Sequence, residues 1–278
     1  MQTIAYLGPE QTNTHLAAKA RFRARARYLH AATIDDVFHL VERRQADYGV
    51  VPVENSLEGS VAHTLDRFID FVDTPVRIHG EAELLVHHAL ITAPKASLSQ
   101  IRTVYSHPQA LAQCRRWLDH HLPRVARTET SSTADAVWML VQLPAAQRHA
   151  VAAIGREELA REHRLRAMPI PDERENKTRF LILGLGEPKR GRRNKTSILF
   201  ALKDKPGALH DALVPFKHNR INLTKIESRP SKRKAWEYLF FIDVDGHMSE
   251  PRLKKALIAL ERSTSLLRIL GSYPVTNK

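Results

Sequence analysis

The sequence predicts an α/β protein in two parts, a longer region of alternating strands and helices followed by a smaller βαββαβ domain. Short apolar runs alternate with stretches of helical periodicity up to about residue 185. From Thr196 the order becomes strand, helix, strand, strand, helix, strand. Residues 186–195 between the two parts are rich in Gly, Pro and basic side chains, as a linker is.

The first region reads as parallel strands covered by helices. Its predicted strands are Ile4–Leu7, Tyr28–Ala31, Tyr48–Val53, Leu84–Ile91, Thr103–Ser106, Val125–Glu129, Ala150–Ile154 and Thr178–Leu183. Thr33 followed by Asp36 predicts a capped helix N-terminus. Helical spacing recurs in two apolar stripes, which we expect in the core: Leu65, Phe68, Ile69 and Val72, and then Ala110, Leu111, Cys114, Trp117 and Leu118.

The second region has the element order of a ferredoxin-like fold. Its predicted elements are the strand Ser197–Leu202, the helix Gly207–Phe216, the strands Leu223–Glu227 and Trp236–Val244, the helix Pro251–Leu260 and the strand Leu266–Leu270. Ser249 is expected to cap the second helix. Pro215 lies within the first helix, where the missing backbone donor predicts a kink or an early helix end.

Composition limits the possible roles of the chain. Cys114 is the single cysteine among 278 residues, so an internal disulfide and a thiolate zinc site are excluded. No apolar run approaches the roughly 18 residues of a membrane-spanning helix, and Met1 leads directly into a predicted strand. We therefore expect a cytoplasmic protein without a signal peptide or a membrane partner.

The net charge of +13 suits nucleic acid, an anionic membrane surface or a small anionic substrate. The basic residues concentrate in two clusters, one running from Lys19 to Arg27 and the other from Lys189 to Lys195. Neither cluster has an aromatic strip on which bases would stack, which disfavours nucleic acid. We expect both clusters to be solvated surface.

Signatures of several enzyme classes are absent from the sequence. There is no phosphate-binding P-loop and no His-Glu-x-x-His, and Gly184 with Gly186 is only a fragment of a dinucleotide fingerprint. His87 and His88 are neighbours on a predicted strand and would point to opposite faces, so they do not form a metal site. The sequence therefore predicts neither a metal nor a cofactor.

Polar loops follow three of the predicted strands, at the position where open α/β sheets bind ligands. They are Gly8–Thr12, Glu54–Ser60 and Ser106–Pro108, and a fourth polar segment, Asn176–Phe180, enters the last strand of the region. By spacing alone each could be an ordinary turn, since Gly, Pro, Asn and Ser dominate turns.

Taken together and in order, these loops resemble the prephenate dehydratase family. The resembling segments are Tyr6–Glu10, Val51–Val61, Tyr105–Gln109 and the catalytic signature Thr178-Arg179-Phe180, with Pro206–Leu209 and Glu227–Pro230 similar to the phenylalanine-binding segments of the family's ACT domain. The resemblance implies two lobes like those of type II periplasmic binding proteins, with substrate between them. It places the catalytic domain at 1–185, with one lobe at roughly 1–78 with 170–185 and the other at 79–169, and the ACT domain at 196–274.

The resemblance also implies a set of site residues. Thr178 is implied as the catalytic hydroxyl, with Arg179 as the nearby charge, Phe180 as packing beside the substrate, and Thr12, Asn55, Ser56 and Ser106 as substrate binders. Phenylalanine would inhibit from an interface between paired ACT domains in a homodimer or homotetramer. That allosteric site would comprise Gly207, Ala208, Leu209, Asn222, Leu223, Glu227, Ser228 and Arg229. On the residues alone, Thr178 is better interpreted as an ordinary β-branched strand residue and Arg179 as a solvated one.

Two positions depart from the family's usual opening motif, Gly-Pro-Glu-Gly-Thr-Phe. Gln11 stands at its second glycine and Asn13 at its aromatic residue, which puts substrate preference in question. An arogenate dehydratase, a non-catalytic amino-acid sensor and a nucleic-acid binder stay open as alternatives. Under the family reading, a positive cleft would accelerate capture of the prephenate dianion, which is one use for the basic excess.

Overall fold

The computed structural model describes residues 1–23, 25–70, 74–170, 176–203, 205–231 and 237–275. Its strands are β1 Thr3–Leu7, β2 Arg27–Ala31, β3 Tyr48–Asn55, β4 Gly59–Ser60, β5 Val76–Leu85, β6 Ala89–Thr92, β7 Thr103–Ser106, β8 Ala126–Glu129, β9 Val151–Gly155, β10 Arg166–Pro169, β11 Lys177–Leu185, β12 Asn194–Leu202, β13 Leu223–Pro230, β14 Tyr238–Asp245 and β15 Thr264–Pro274. Its helices are α1 Asn13–Phe22, α2 Ile34–Glu42, α3 Ala62–Asp70, α4 Pro108–Gln113, α5 Arg115–His121, α6 Thr133–Gln142, α7 Glu157–Glu162, α8 Ala208–His218 and α9 Pro251–Ser263.

The first lobe is built on a mixed sheet with the order β2-β1-β3-β11-β5, and β4 pairs with β3. The strands β1, β2 and β3 run parallel, whereas β11 runs antiparallel to both of its neighbours. The prediction of parallel α/β units is therefore wrong for β11, which returns from the second lobe. Because β5 belongs to this sheet, the first lobe extends to Leu85, beyond the expected boundary near residue 78.

The second lobe is a smaller mixed sheet with the order β10-β6-β9-β7-β8. In it β7 pairs in parallel with β8 and β9, whereas β6 is antiparallel to β9 and to β10, so the prediction of parallel units is wrong for β6 as well. Its helices follow apolar stripes as expected, although the predicted stripe around Cys114 divides into α4 and α5 at that residue. Cys114 is fully buried in the core of this lobe.

The chain crosses between the lobes at residues 86–88 and again on the approach to β11. The amide of Val86 donates to the carbonyl of Asn176, and the amide of Ile170 donates to the carbonyl of His88, so the two crossings are bonded side by side. The single strand predicted over Leu84–Ile91 is therefore wrong, because the chain leaves one sheet and enters the other between β5 and β6.

The C-terminal domain is an antiparallel sheet with the order β13-β14-β12-β15 and confirms the predicted βαββαβ order. Its helices α8 and α9 cover one face, where Phe200, Phe216, Ile242 and Leu260 form the core. The predicted start of its third strand, Trp236, lies outside the described residues.

The early helix end considered at Pro215 and the cap predicted at Ser249 do not occur in this domain. α8 continues through Pro215 to His218, because the surrounding core holds the apolar face of the helix in spite of the missing donor. The N-cap position of α9 is Glu250, not Ser249; Glu250 makes no side-chain capping hydrogen bond to the helix, and Pro251 occupies the first turn. By contrast, the predicted capping box of Thr33 and Asp36 is confirmed at the start of α2.

The other face of the C-terminal sheet packs directly on the first lobe. Leu199, Phe241 and Tyr273 share one buried cluster with Val51 and Leu181 of the first-lobe sheet. At the closest point Gly271 passes the backbone of Ile78, and a Cβ there would collide with the Ile78 carbonyl. Glycine is therefore required at position 271 for β15 to lie against β5.

A buried ion pair crosses the same interface. Lys195 Nζ donates to both carboxylate oxygens of Glu81 at 2.8 Å, and Tyr273 donates its hydroxyl to the same carboxylate at 2.9 Å. Lys195 was expected in the solvated linker cluster, but it is the second residue of β12 and only 6% exposed. Within the described ranges, no helix is long and apolar enough to cross a membrane.

Candidate active site

Thr178 and Asn55 meet at one end of the strands of the first-lobe sheet, where β11 begins and β3 ends. The two residues are paired across the strands, and Asn55 Nδ2 donates to Thr178 Oγ1 at 3.0 Å. The carboxyl ends of the parallel strands β1 and β3 lie at this end of the sheet. It is the position where open α/β sheets form ligand crevices.

A chain of amide side chains continues from this pair into the second lobe. Asn55 Nδ2 also donates to Asn176 Oδ1 at 2.7 Å, and Asn176 Nδ2 donates to Gln113 Oε1 at 2.7 Å. Gln113 ends α4 of the second lobe, and Asn176 lies on the crossing that leads into β11. Thr178 is therefore held by a network that spans both lobes.

Glu58 adds a second bridge between the lobes. It lies in the loop that follows Asn55, and its carboxylate accepts from Gln113 Nε2 at 2.6 Å and from the side-chain amide of Gln109. Both glutamines lie on α4, one helical turn apart. The loop Glu54–Ser60 thus faces α4 across the cleft.

His88 completes the network from the first crossing. Its Nε2 lies 2.7 Å from Gln113 Oε1, and since an amide oxygen only accepts, His88 Nε2 is the donor. Burial is the largest cause that lowers the pKa of His88 below 6.5; Arg156 and His87 lower it further, whereas the bond to Gln113 and the charge of Glu58 oppose the shift. His88 is therefore neutral near pH 7, and among the described residues its Nδ1 has no partner.

The hydroxyl groups of three expected substrate binders have partners within the protein. Thr12 caps α1, and its one hydroxyl hydrogen is shared between the carbonyls of Pro9 at 3.0 Å and Leu7 at 3.2 Å. Ser56 accepts from the backbone amide of Lys177 at 2.9 Å, which ties the loop after β3 to β11. Ser106 is fully buried and donates to the Ile154 carbonyl at 2.8 Å, so this arrangement leaves no exposed oxygen on it for a substrate.

Phe180 lies on the same face of β11 as Thr178, but below the site. It is 1% exposed and packs with Tyr6, Ala17 and Ile182, so it supports the sheet beneath Thr178 without reaching the cleft. Its expected role as packing agrees with this position, whereas direct contact with a substrate does not.

Arg179 points to the opposite face of the sheet, toward the C-terminal domain. Its guanidinium lies 3.3 Å from Glu54 and 3.9 Å from Glu83. Burial alone would lower the pKa of Arg179, but Glu81, Glu54 and other nearby carboxylates outweigh it and raise the pKa. With Lys225 and Asp243, Arg179 lines a cavity of about 20 Å³ between the domains, room for about one water. The expectation that Arg179 is the charge beside Thr178 does not match this geometry.

The two departures from the family motif both contact the second lobe. Gln11 has a φ of 65°, the left-handed conformation that explains the family's glycine at this position. Its side-chain amide lies 3.4 Å from Glu162, and Asn13 Oδ1 accepts from Arg156 at 3.3 Å. The changed loop therefore reaches across the cleft to α7 and to the residue before it.

The expected allosteric residues lie on the two sides of β13 and at the start of α8. Gly207 has a φ of 78° and caps α8, whose first residues are Ala208 and Leu209. Asn222 and Ser228 are exposed, and Leu223 is half-buried against the domain core.

Glu227 and Arg229 instead face the catalytic region. Ser60 donates its hydroxyl to Glu227 at 2.8 Å, and Arg229 contacts both carboxylate oxygens of Asp66 at 3.0 and 3.2 Å. Lys225, two residues earlier, donates to Ser60 at 3.0 Å. The alternation along β13 thus joins the C-terminal domain to the loop that carries Asn55.

The fold and the site define a two-lobed α/β enzyme with a polar centre between its lobes and an appended regulatory-type domain. The family model for prephenate dehydratase matches residues 4–188, and the model for the ACT domain matches residues 196–262. The chain therefore belongs to the prephenate dehydratase family, and its C-terminal domain is an ACT domain. The family prediction made from the motifs is confirmed.

Relatives of this family cover nearly the whole chain. A bifunctional chorismate mutase/prephenate dehydratase of Aquifex aeolicus is 46% identical, covering 98% of this chain and 73% of the relative. A prephenate dehydratase of Methanocaldococcus jannaschii is 42% identical over 87% of this chain and 86% of the relative. The structure of prephenate dehydratase from Arthrobacter aurescens in complex with L-Phe is 34% identical, with a TM-score of 0.86 over 98% of this chain and 89% of that one.

The chain is thus a prephenate dehydratase, a carbon–oxygen lyase that forms phenylpyruvate from prephenate. Several residues of the network had not been assigned a role from the sequence: Glu58 and Gln109 inside the family motifs, Asn176 in the polar segment that enters β11, and His88 and Gln113 outside them. A signal existed for Gln113, because it follows Gln109 by four residues on a predicted helix and so shares its face.

Proposed function

We propose that the Thr178 hydroxyl donates a hydrogen bond to the hydroxyl that prephenate loses. The observation that supports this role is the direction of the Asn55 bond. Because Asn55 Nδ2 donates to Thr178 Oγ1, that oxygen acts as an acceptor toward Asn55. Among the described residues no group accepts the Thr178 hydrogen, so it is available to a substrate oxygen.

The chemistry requires little more than this hydrogen bond and correct placement. The bond from the ring to its carboxylate breaks and releases CO₂, its electron pair enters the ring, and the carbon–oxygen bond breaks. The departing oxygen takes up a proton and leaves as water. A threonine hydroxyl is a poor acid near neutral pH, so Thr178 stabilises the developing charge or relays a proton from solvent instead of giving up its own proton completely.

Substitution of Thr178 tests this role. Thr178→Ala should lower kcat by about 100-fold or more, the effect of removing an acid–base group. Thr178→Ser is the matched control, since it keeps the oxygen, and should retain most of the turnover. Near-normal turnover of Thr178→Ala would reject the assignment.

We propose further that L-phenylalanine binds the ACT domain and inhibits the enzyme, as the L-Phe complex of the Arthrobacter aurescens relative suggests. The ligand site would include Gly207, Ala208, Leu209, Asn222, Leu223 and the segment Glu227–Arg229. Inhibition requires that phenylalanine prefer one arrangement of the domains, because equal affinity for both shifts nothing. The contacts of Glu227 and Arg229 with the catalytic region are the differential contacts that such a preference could act on.

Calorimetry and inhibition assays test the regulatory site. Ser228→Ala should weaken phenylalanine binding while leaving turnover without phenylalanine unchanged, since Ser228 is exposed on the side of β13 away from Glu227 and its contact with Ser60. Lys254→Ala on the exposed face of α9 is a control. The site is misplaced if Ser228→Ala combined with Asn222→Ala binds phenylalanine as the parent protein does.

A homodimer or homotetramer paired through ACT domains is the proposed assembly. Ile226 on β13 is 49% exposed and Ile258 on α9 is 46% exposed, which supports an apolar contact with another copy. Light scattering of Ile226→Glu should show a smaller particle than the parent protein. We expect the enzyme to act in the cytoplasm, where a single buried cysteine needs no disulfide partner.

A further inference from the structure

A second arginine, Arg156, is the cation that faces the cleft. It follows Gly155 at the carboxyl end of β9 and lies immediately before α7 of the second lobe. Its side chain is 15% exposed and reaches Asn13 at the start of α1 in the first lobe, with Nη1 3.3 Å from Oδ1. Arg156 thus spans the gap between the two lobes, from the carboxyl end of β9 to the start of α1.

Arg156 is also close to the network that holds Thr178. Its charge contributes to the lowered pKa of His88, which donates to Gln113 in that network. His88 is neutral and Arg179 faces the ACT domain, so Arg156 supplies positive charge on the second-lobe side of the cleft. This positive charge therefore lies beside the His88–Gln113 bond of the network that holds Thr178.

The guanidinium is held loosely enough to accept a ligand. Its carboxylate partner is Glu158, at 3.3 Å from Nε and 3.5 Å from Nη2, and that carboxylate is 60% exposed. A solvated carboxylate at such distances contributes little and can be displaced by a substrate carboxylate that makes a shorter, paired contact. Asn13 holds the other side of the guanidinium at the position where the family usually has an aromatic residue.

We propose that Arg156, oriented by Asn13, binds the pyruvyl carboxylate of prephenate and is a substrate-binding residue of this enzyme. The two substrate carboxylates make opposite demands on a cation. The ring carboxylate loses its charge as it leaves as CO₂, so a cation bound to it would stabilise the ground state and slow the reaction. The pyruvyl carboxylate keeps its charge throughout, so an arginine on it strengthens binding without opposing the chemistry.

Kinetics with a product-binding measurement test this inference, which rests on the cleft site proposed above. Arg156→Gln should raise KM for prephenate by about 10-fold or more, as expected for loss of a charged hydrogen-bonded contact, and change kcat by less than about 3-fold. Phenylpyruvate retains the pyruvyl carboxylate but has no ring carboxylate. Its dissociation constant, measured by calorimetry without turnover, should therefore rise by a similar factor.

Arg161→Gln is the matched control, because it removes the same charge from α7 at a side chain that is 73% exposed and paired with Glu157. It should leave KM and phenylpyruvate binding near the parent values. Asn13→Ala should also raise KM and the phenylpyruvate dissociation constant, but less strongly than Arg156→Gln. It replaces Arg156→Gln as the test if that variant does not fold.

Three results would overturn the proposal. The first is an unchanged KM for prephenate in Arg156→Gln. The second is a raised KM in Arg156→Gln with unchanged phenylpyruvate binding, which would place Arg156 on the ring carboxylate. The third is an equal effect of Arg161→Gln on both quantities. The Thr178 role is judged separately by kcat of Thr178→Ala, so either assignment can fail while the other stands.

Discussion

Asn55 and Thr178 face each other across β3 and β11, and the amide of one donates to the hydroxyl of the other at 3.0 Å. Asn55 Oδ1 meanwhile accepts from the backbone amides of Leu57 and Glu58. The loop after β3 therefore orients the amide, and the amide orients the hydroxyl toward the cleft.

Reversing this bond should disable the enzyme. In Asn55→Asp the carboxylate still accepts from the loop amides, but it also accepts the Thr178 hydrogen and turns it away from the substrate. We expect kcat to fall by about 100-fold or more, as for loss of the hydroxyl itself. Steady-state kinetics check this prediction, and circular dichroism confirms that the variant is folded. A kcat close to that of the parent would show that the direction of the bond is irrelevant.

His88 should make the fold sensitive to acid. Its pKa in the folded protein is lowered from 6.5, chiefly by burial, so the unfolded chain takes up the proton first as pH falls. The stabilising contribution of neutral His88 is complete above pH 6.5 and is lost as pH falls through the lower folded pKa. Urea unfolding from pH 7.5 to 5 should show this loss, and His88→Gln should reduce it.

His15 and His79 also have pKa values lowered mainly by burial. His88→Gln should therefore remove only part of the loss of unfolding free energy as pH falls. His210→Gln is the control, since His210 is 81% exposed. If the unfolding free energy of His88→Gln falls with pH as steeply as that of the parent protein, the prediction is contradicted.

The ion pair of Lys195 and Glu81 should hold the ACT domain on the first lobe. Lys195→Met leaves the Glu81 carboxylate buried without its cation, which typically costs about 3–5 kcal/mol of unfolding free energy. Lys195→Met combined with Glu81→Leu removes both charges and should recover part of the loss. Denaturant unfolding measures both variants, and Lys205→Met, at an exposed pair with Asp211, should change little. Equal stabilities of the single and double variants would contradict this account.

Gln11 should carry a small conformational cost that glycine would remove. A left-handed backbone costs a side-chain-bearing residue roughly 1–2 kcal/mol, and the greater freedom of glycine in the unfolded chain offsets part of that gain. We expect Gln11→Gly to raise the unfolding free energy by up to about 1 kcal/mol. Thermal unfolding checks the sign, and Gln11→Ala should give no gain because it keeps the Cβ. A lower Tm for Gln11→Gly would mean that the contact with Glu162 outweighs the backbone cost.

Much of the fold follows from the sequence because hydrophobic periodicity and order of elements specify it. The βαββαβ order and the capping box at Thr33 were predictable from local patterns alone. The direction of β11 and the break after Leu85 were not, because both depend on where the chain crosses between lobes, and no local pattern encodes a crossing.

In the candidate site, the position of Arg179 could have been inferred from the sequence, whereas the positions of Arg156 and His88 could not. Side chains alternate along a strand, so placing Thr178 toward the cleft already places Arg179 on the other face. Arg156 and His88 carry no motif in the sequence, and their proximity to Thr178 arises from packing of the two lobes. Loop hydroxyls such as Ser106 look available in a sequence, yet buried strand ends need polar partners, and Ser106 supplies one to Ile154.

The alternation along β13 gives the ACT domain a short mechanical connection to the chemistry. Ser228 faces outward, whereas its neighbour Glu227 holds Ser60, which is paired through β4 to the end of β3 beside Asn55. These contacts join β13 to the strand end where Asn55 bonds to the Thr178 hydroxyl. The strand of the ACT domain that carries the proposed ligand residues therefore also contacts the loop beside Asn55.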